Sequence, residues 1–312
     1  MNSPRVSVIV LNWNGAPHLA ACLDSVQRLT YPERELMVVD NASTDGSAAL
    51  IPPEFVRIDN PVNLGYAGGN NVGIRRATGA YVLLVNNDTV LDPGLIEPLV
   101  AAAEADPAVA AVNPKIVYFD RPEVINAAGL VIHADGSSGS RGMGEPDGPR
   151  YAARAEVFGA HGACVLYRRA ALDRVGLFDE EFFAYNEEFD LAWRLRLAGF
   201  RALYVPEARV RHREAASLKR TPDRILHLLE RNRVWCVAKN MSARQFVRHL
   251  PQLLAAEWAA LRHCVGIRTL TPFRARLAAL AGLPRMLARR RAVQALRAVP
   301  DADLERWFDS GA

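Results

Sequence analysis

The strongest constraint on the fold is where polar residues fall along the first part of the chain. Short β-rich runs at 6–11, 36–39 and 81–85 each run directly into a polar cluster: Asn12 to Asn14, Asp40 to Asp45, and Asn86 to Asp88. Between them Leu19, Cys22, Leu23 and Val26 recur at the spacing of one helix face. The alternation continues with a strand at 56–58, a helix over 70–77, a helix from Pro93 to about 105, and strands at 109–112, 162–167 and 202–205. A short helix is expected at 47–50 and another from Glu187 to about 198. This order predicts an α/β domain with a mostly parallel sheet. Ligands of such sheets bind beyond the carboxyl ends of the strands, which is where these clusters sit. A chain that only has to fold does not need polar clusters at the same end of several strands.

With 312 residues, 50% of them hydrophobic and 23% charged, the chain has the makeup of a soluble protein of one large domain or of a domain with an appendage. The first residues run straight into the first strand without a secretory core. No run of about 18 apolar residues free of charge occurs, so no transmembrane helix is expected. Cys22, Cys164, Cys236 and Cys264 are too dispersed for a zinc or thioredoxin-like motif, and a reducing compartment is the simpler reading. Residues 129–150, rich in Gly, Ser, Asp and Pro, read as a long surface loop.

The net charge of +4 hides an asymmetry: from Lys219 onward there are 18 Lys and Arg against 7 Asp and Glu, so the body before it is acidic. Between Asn240 and Pro300 the eleven arginines face one acid, Glu257, and are interleaved with Phe246, Leu250, Leu253, Leu254, Trp258, Leu261, Leu277, Leu280, Leu283 and Leu287. Amphipathic helices on an anionic bilayer and a helical appendage packed on the body or in a homo-oligomer both fit this pattern. No nucleic-acid-binding motif accompanies the charge, and nucleic acid is not expected as a partner.

Four constellations carry chemistry. The run from Asp40 to Ser47 suits an Asx-rich turn, and equally a nucleotide site in which Asp40 accepts hydrogen bonds from base or ribose. The run from Asn63 to Gly73 lacks the G-x-G-x-x-G spacing, yet its glycines before a helix start would let backbone N–H groups approach a diphosphate. Asp88, ending a buried strand, suits Mg²⁺ or Mn²⁺, which prefer hard oxygen ligands, and His212 could complete that site. Glu187, Glu188 and Asp190 could offset a helix dipole, or raise one another's pKa as a general base requires.

Taken in order, these segments resemble the family 2 inverting glycosyltransferases, especially a bacterial rhamnosyltransferase-like branch, over about residues 5–215. The match runs through Asn12-Trp13-Asn14-Gly15, Asp40 to Ser47, Asn63-Leu64-Gly65-Tyr66-Ala67-Gly68-Gly69-Asn70-Asn71, Asn86-Asn87-Asp88, Gly176-Leu177-Phe178-Asp179-Glu180, Phe182 to Leu191, and His212. The resemblance implies a GT-A fold: a Rossmann-like α/β catalytic domain over 1–220, here followed by a basic helical region over 221–312. It implies a metal-dependent hexosyltransferase that uses Mg²⁺ or Mn²⁺. Asp88, where the family's Asp-x-Asp motif ends, would bind the metal with His212. Asn12, Asn14, Asp40, Asn41, Ser43, Asn63, Gly65, Gly68, Asn70, Asn86 and Asn87 would hold the donor nucleotide. The base would come from Glu187 and Glu188, with Glu188 favoured by position, and Asp190 and Arg194 would face the acceptor. Two departures stand out: Asn86 replaces the first Asp of the metal motif, and Glu188 replaces the Asp of the family's Glu-Asp pair.

The function this implies is transfer of a sugar from a nucleotide-sugar donor, dTDP- or UDP-linked and with rhamnose suggested by the branch, to a glycan or lipid-linked acceptor in cell-surface polysaccharide synthesis. The expected place is the cytoplasmic face of a membrane, reached through peripheral contact of the C-terminal region. A nucleotidyltransferase would carry a glycine-rich loop and a basic residue after the first strand, where Asn12-Trp13-Asn14-Gly15 stands. A non-catalytic nucleotide-sugar-binding protein would not need the acidic cluster at Glu188.

Overall fold

The computed structural model describes residues 3–213, 222–266 and 269–308. The elements in chain order are β1 (Val6–Asn12), α1 (Leu19–Gln27), β2 (Arg34–Asp40), β3 (Val56–Asp59), α2 (Gly65–Arg76), β4 (Tyr81–Asn86), β5 (Thr89–Leu91), α3 (Ile96–Glu104), β6 (Val109–Tyr118), β7 (Ile125–Ala127), β8 (Leu130–Ile132), β9 (Ser138–Ser140), β10 (Ala155–Val157), β11 (Cys164–Arg168), α4 (Arg169–Val175), α5 (Glu187–Leu197), β12 (Arg201–His212), α6 (Pro222–Asn240), α7 (Ala243–Arg248), α8 (Leu250–Gly266), α9 (Thr271–Ala295) and α10 (Asp301–Glu305). The expected helix at 47–50 is a 3₁₀ turn.

The main sheet has the order β10-β12-β6-β11-β4-β1-β2-β3, with β5 beside β12 and β7 beside β6. Strands β1 to β4 pair in parallel, as do β6 and β12, while β11 runs antiparallel between β4 and β6. This is the α/β architecture of the GT-A class. The β1 run from Val8 to Leu11 is continuously apolar because both faces of the strand are covered. Val6, Val8 and Val10 point into a core shared with α1 and α3, and Ile9 into one shared with α2, α4 and α5. Gly69 and Gly73 let α2 lie directly on β1: an added Cβ would come within 2.5 Å of Leu11 and 2.7 Å of Ile9.

Two expectations are corrected. Residues 129–150 are not a bare loop: β8 and β9 form a hairpin whose Leu130 and Ile132 are buried. Alternation over three residues is too short a signal to set against so many Gly and Ser. The glycine run is not a loop before a helix either, because α2 begins at Gly65. The two residues of the domain boundary expected at 220–221 lie outside the described residues.

The helices beyond that boundary share a third core with the body. Trp235, Cys236, Met286, Leu304 and Phe308 cluster with Phe182, Phe189 and Trp193. Trp235 donates its indole N–H to the Ala279 carbonyl at 2.9 Å, and Gly282 leaves room for its ring. Much of the basic charge is used here. Arg289 pairs with Asp179 and Glu181, Arg285 with Glu181, and Arg276 with Glu230 and Glu257. Lys239 lies 2.6 Å from Asp179 and 3.0 Å from Asp190. Cys22, Cys164 and Cys236 are buried and free, while the Cys264 and Leu261 side chains lie outside the described residues.

Asp190 is fully buried among Arg194 (2.9 Å), Lys239 and the Asn240 amide (2.9 Å), and these cations hold its carboxyl down at about 2. Removing one member of a buried ion cluster leaves charge uncompensated. Asp190→Ala is expected to lower unfolding stability in urea by about 3–5 kcal/mol; a loss below about 1 kcal/mol would show the cluster to be dispensable.

Candidate active site

The carboxyl ends of β1, β2 and β4 are tied together by side-chain amides. Asn12, buried, donates to Asp40 Oδ1 at 2.8 Å and to Ser47 Oγ at 2.9 Å, and accepts from Asn87 at 2.8 Å. Asp40 also accepts from the Ser43 N–H at 3.0 Å, and Ser43 Oγ accepts from the Asn14 N–H at 3.0 Å. Asn14 takes a left-handed backbone, φ 51°, and accepts from the Thr44 N–H. Asn41 spans to the next loop, donating to Asn63 Oδ1 (2.9 Å) and the Gly65 carbonyl (3.0 Å). Gly15 is required by this network, since a Cβ would lie 2.5 Å from Asn12 Oδ1 and strike the Asn87 amide.

These strand ends border a cavity of about 380 Å³, a size suited to a small-molecule ligand. Asn14, Asn41, Asn63, Gly65, Asn86, Asn87, Asp88, Glu187, Glu188 and His212 line it, so ten of the sequence-predicted residues meet there. Asn12, Asp40 and Ser43 do not; they brace the residues that do. Gly68 packs on Leu64, and Asn70 donates to the Tyr66 carbonyl inside α2. The diphosphate contact expected of the glycine run also meets competition. The Gly65 N–H is taken by Asn63 at 2.8 Å and the Ala67 N–H by the Phe183 carbonyl at 3.1 Å. Asp190 and Arg194 lie outside the cavity lining. Arg194 is spent on Asp190 and on the carbonyls of Val175, Gly176 and Leu177, each at 2.8 Å, so the acceptor contact expected of the two is withdrawn.

Antiparallel pairing of β5 with β12 sets His212 opposite Thr89 and thereby beside Asp88. Its Nε2 is 3.3 Å from Asp88 Oδ1, and its Nδ1 is 2.8 Å from Asn126 Oδ1 on β7. An amide oxygen can only accept, so Nδ1 donates to Asn126 and Nε2 is the ring nitrogen that faces the Asp88 carboxylate. Asp88 Oδ1 is buried without a hydrogen-bond donor. A ring nitrogen and an unpartnered carboxylate oxygen side by side in a buried place fit a divalent cation as ligands, with Asn126 orienting the ring from behind. Among the described residues no group of three or more His, Cys, Asp or Glu gathers as a metal site. A divalent ion bound here would take its remaining ligands from phosphate and water, as Mg²⁺ and Mn²⁺ do.

Glu187 and Glu188 open α5 behind a strained approach. Phe183, Tyr185 and Asn186 all have left-handed backbones, φ 66°, 68° and 67°. Asn232 of α6 holds them, its amide donating to the carbonyls of Phe182 (2.9 Å), Ala184 (2.9 Å) and Tyr185 (2.6 Å). Glu187 is only 3% exposed, and an oxygen of each glutamate is buried without a partner. Burial and the neighbouring Glu188 charge push Glu187 well above the ordinary carboxylate range, and burial pushes Glu188 up as well. The two carboxyls titrate as one pair, and burial with mutual repulsion favours a proton held on it.

Sequence reasoning missed His161, Asn126 and Trp13. His161 lines the cavity with its ring 6.2 Å from that of His212; burial first, and His212 second, depress it to about 3. Its Nδ1 accepts the Ala163 N–H at 3.1 Å, leaving the proton on Nε2. A lone His after a turn and an Asn in a three-residue strand carry no local signal. Trp13, 41% exposed within the first polar cluster, was legible as an unburied aromatic.

Residues 7–176 match the family described as Glycosyl transferase family 2, and the chain belongs to that family. It is 32% identical over 231 residues to the O-antigen biosynthesis protein RfbC of Myxococcus xanthus, a match that spans 69% of this chain and 18% of that protein. It is 31% identical over 241 residues to the N-acetylglucosaminyl-diphospho-decaprenol L-rhamnosyltransferase of Mycobacterium tuberculosis, covering 69% of this chain and 78% of that one. In fold it is similar to the mannosyltransferase of Pyrobaculum calidifontis solved with GDP-Man and Mn²⁺, with a TM-score of 0.54, 21% identity, and coverage of 95% of this chain and 88% of that one.

The raised Glu187 pKa has a consequence for stability. The folded chain holds a proton that the unfolded chain releases near 4.5, so stability is lost as pH rises above that value toward the folded pKa. Glu187→Gln is expected to raise Tm at about pH 7.5 and to leave it unchanged near pH 4 in calorimetric scans. An equal shift at both values would mean that Glu187 is not protonated in the fold.

Proposed function

We propose that the chain is an inverting glycosyltransferase that moves a sugar from a nucleoside-diphosphate donor to a hydroxyl of a glycan or lipid-linked acceptor in cell-surface polysaccharide synthesis. The observation that carries this is one cavity at the carboxyl ends of parallel strands holding both the Asp88–His212 pair and the buried Glu187–Glu188 pair. Rhamnose as the sugar is supported by the name of the mycobacterial relative, with a dTDP donor or, as the alternative, a UDP sugar. Mn²⁺ or Mg²⁺ is supported by the orphaned Asp88 oxygen and by the Mn²⁺ in the similar mannosyltransferase.

The acceptor hydroxyl loses its proton to Glu188 as its oxygen attacks the anomeric carbon. The bond from that carbon to the diphosphate breaks on the opposite face, so configuration inverts. A proton kept on the pair spares it a second negative charge before transfer. A divalent cation held by Asp88 and His212 would act as a Lewis acid on the leaving diphosphate. Asn14, Asn41 and Asn63 are positioned for the nucleotide, with Asp40 and Asn12 behind them.

The C-terminal helices support peripheral membrane contact. Helix α9 carries two apolar stripes: Ala275, Ala279, Gly282 and Met286 are buried, while Phe273, Leu277, Leu280 and Leu287 are exposed about half a turn away. Phe246, Leu250, Leu254 and Trp258 are exposed on α7 and α8. No helix among the described residues is long and apolar enough to cross a membrane. Apolar side chains on a basic region suit the surface of an anionic bilayer, and the inner face of the cell membrane is the location that fits a lipid-linked acceptor.

Two outcomes check this reading. In thermal-shift assays, dTDP or UDP is expected to stabilise the protein only with Mn²⁺ or Mg²⁺. Asp88→Ala should lose that shift, while Glu188→Gln keeps it and slows turnover about 10²- to 10⁴-fold; normal turnover by Glu188→Gln would move the base to Glu187. Changing Leu254 and Trp258 together to Glu is expected to abolish co-sedimentation with phosphatidylglycerol vesicles without lowering Tm. Unchanged sedimentation would count against the membrane surface.

A further inference from the structure

Helix α6 lies beyond the residues matched by the family, yet Arg224, Ile225 and Leu228 line the cavity. Arg224 is the one Lys or Arg among the described lining residues. Its guanidinium sits over the Phe183 ring, 4.9 Å from the centroid. Phe183 is itself fixed, by its left-handed backbone and by its carbonyl at the α2 N-terminus. The neighbouring cations are engaged: Arg231 donates to the carbonyls of Glu181 and Phe182, Lys239 pairs with Asp179 and Asp190, and Arg285 and Arg289 pair with Glu181. Among the described residues Arg224 has no carboxylate partner.

A guanidinium stacked on an aromatic face keeps its in-plane N–H groups free for forked bonds to a phosphate. The diphosphate of the donor is matched by the cation site at Asp88 and His212, so Arg224 supplies charge for a second anionic group. The side chains next to it on α6, Ile225 and Leu228, are apolar and nearly buried. Cation and hydrocarbon side by side suit a phosphate attached to a lipid.

We propose that Arg224 binds the phosphate of a lipid-phosphate-linked acceptor, with Ile225 and Leu228 against the first part of its hydrocarbon chain. This rests on the glycosyltransferase reading above and adds the acceptor class and the residue that selects it. The test is calorimetric titration of the full chain, first with UDP or dTDP plus Mn²⁺, then, with the nucleotide saturating, with farnesyl diphosphate and with farnesol. The expected result is binding of farnesyl diphosphate and not farnesol, weakened about tenfold or more in Arg224→Gln and less in Arg224→Lys, with nucleotide affinity unchanged. Equal binding of farnesyl diphosphate by Arg224→Gln would overturn the proposal. So would loss of nucleotide affinity in that variant, which would assign Arg224 to the donor. Absence of nucleotide binding in the unmutated chain would instead sink the glycosyltransferase reading, while the farnesyl diphosphate titration would still report on Arg224.

Discussion

The side-chain amide of Asn232 supports the arrangement of the whole site. It satisfies the carbonyls of Phe182, Ala184 and Tyr185, in a segment with three left-handed residues. Each such residue is costly by itself, about 1–3 kcal/mol, and persists only where its surroundings over-determine it. The turn that results starts α5 with Glu187 and Glu188 facing the cavity. Ser138 on β9 donates to Asn186 Oδ1 at 2.8 Å, so the hairpin joins in holding the turn. The acid pair is therefore placed by a helix outside the family-matched segment, and the C-terminal region is part of the architecture of the cavity.

Charge follows the same logic. The acidic body and basic C-terminal region meet through Lys239, Arg285 and Arg289 against Asp179, Glu181 and Asp190. Most of these carboxylates fall in the chain segment that leads into α5. Neutralising them with fixed cations leaves Glu187 and Glu188 as the carboxyls without ion-pair partners in that segment, among the described residues. Burial then raises their pKa values, because no cation offsets the loss of water. Asp190, two positions from Glu188, is driven the opposite way by Lys239 and Arg194. Neighbours on one helix thus meet unlike surroundings, one facing the cavity without a cation partner among the described residues and one locked into a buried ion cluster.

The strand-end side of the cavity shows a comparable division. Side chains such as Asn12 and Asp40 are buried in a network of short amide and hydroxyl contacts, and the lining residues Asn14, Asn87 and Asn41 are oriented by it. Satisfied buried networks are rigid, since each member broken leaves a polar group without water. Asn87 suits this role better than a carboxylate would, because its amide can donate to Asn12 Oδ1.

Local sequence determined the alternation of strands and helices, the two-sided burial of β1, and the polar residues at the strand ends. Each is written in contiguous periodicity, which the backbone geometry of strands and helices dictates. It also marked Asp88, Glu187, Glu188 and His212, residue types whose chemistry stands out at a strand end or helix start. Tertiary structure alone decided the rest. The β5–β12 pairing brings His212 to Asp88, and Asn126 and His161 arrive from segments with no local signal. Asp190 and Arg194 turn away from the cavity because α5 has a second face and Lys239 waits there. Gly68 and Gly69 lie inside a helix because α2 begins at Gly65, five residues before the expected start at Asn70. Whether a polar side chain braces, binds or reacts depends on what stands across from it, and that partner comes from a distant part of the chain.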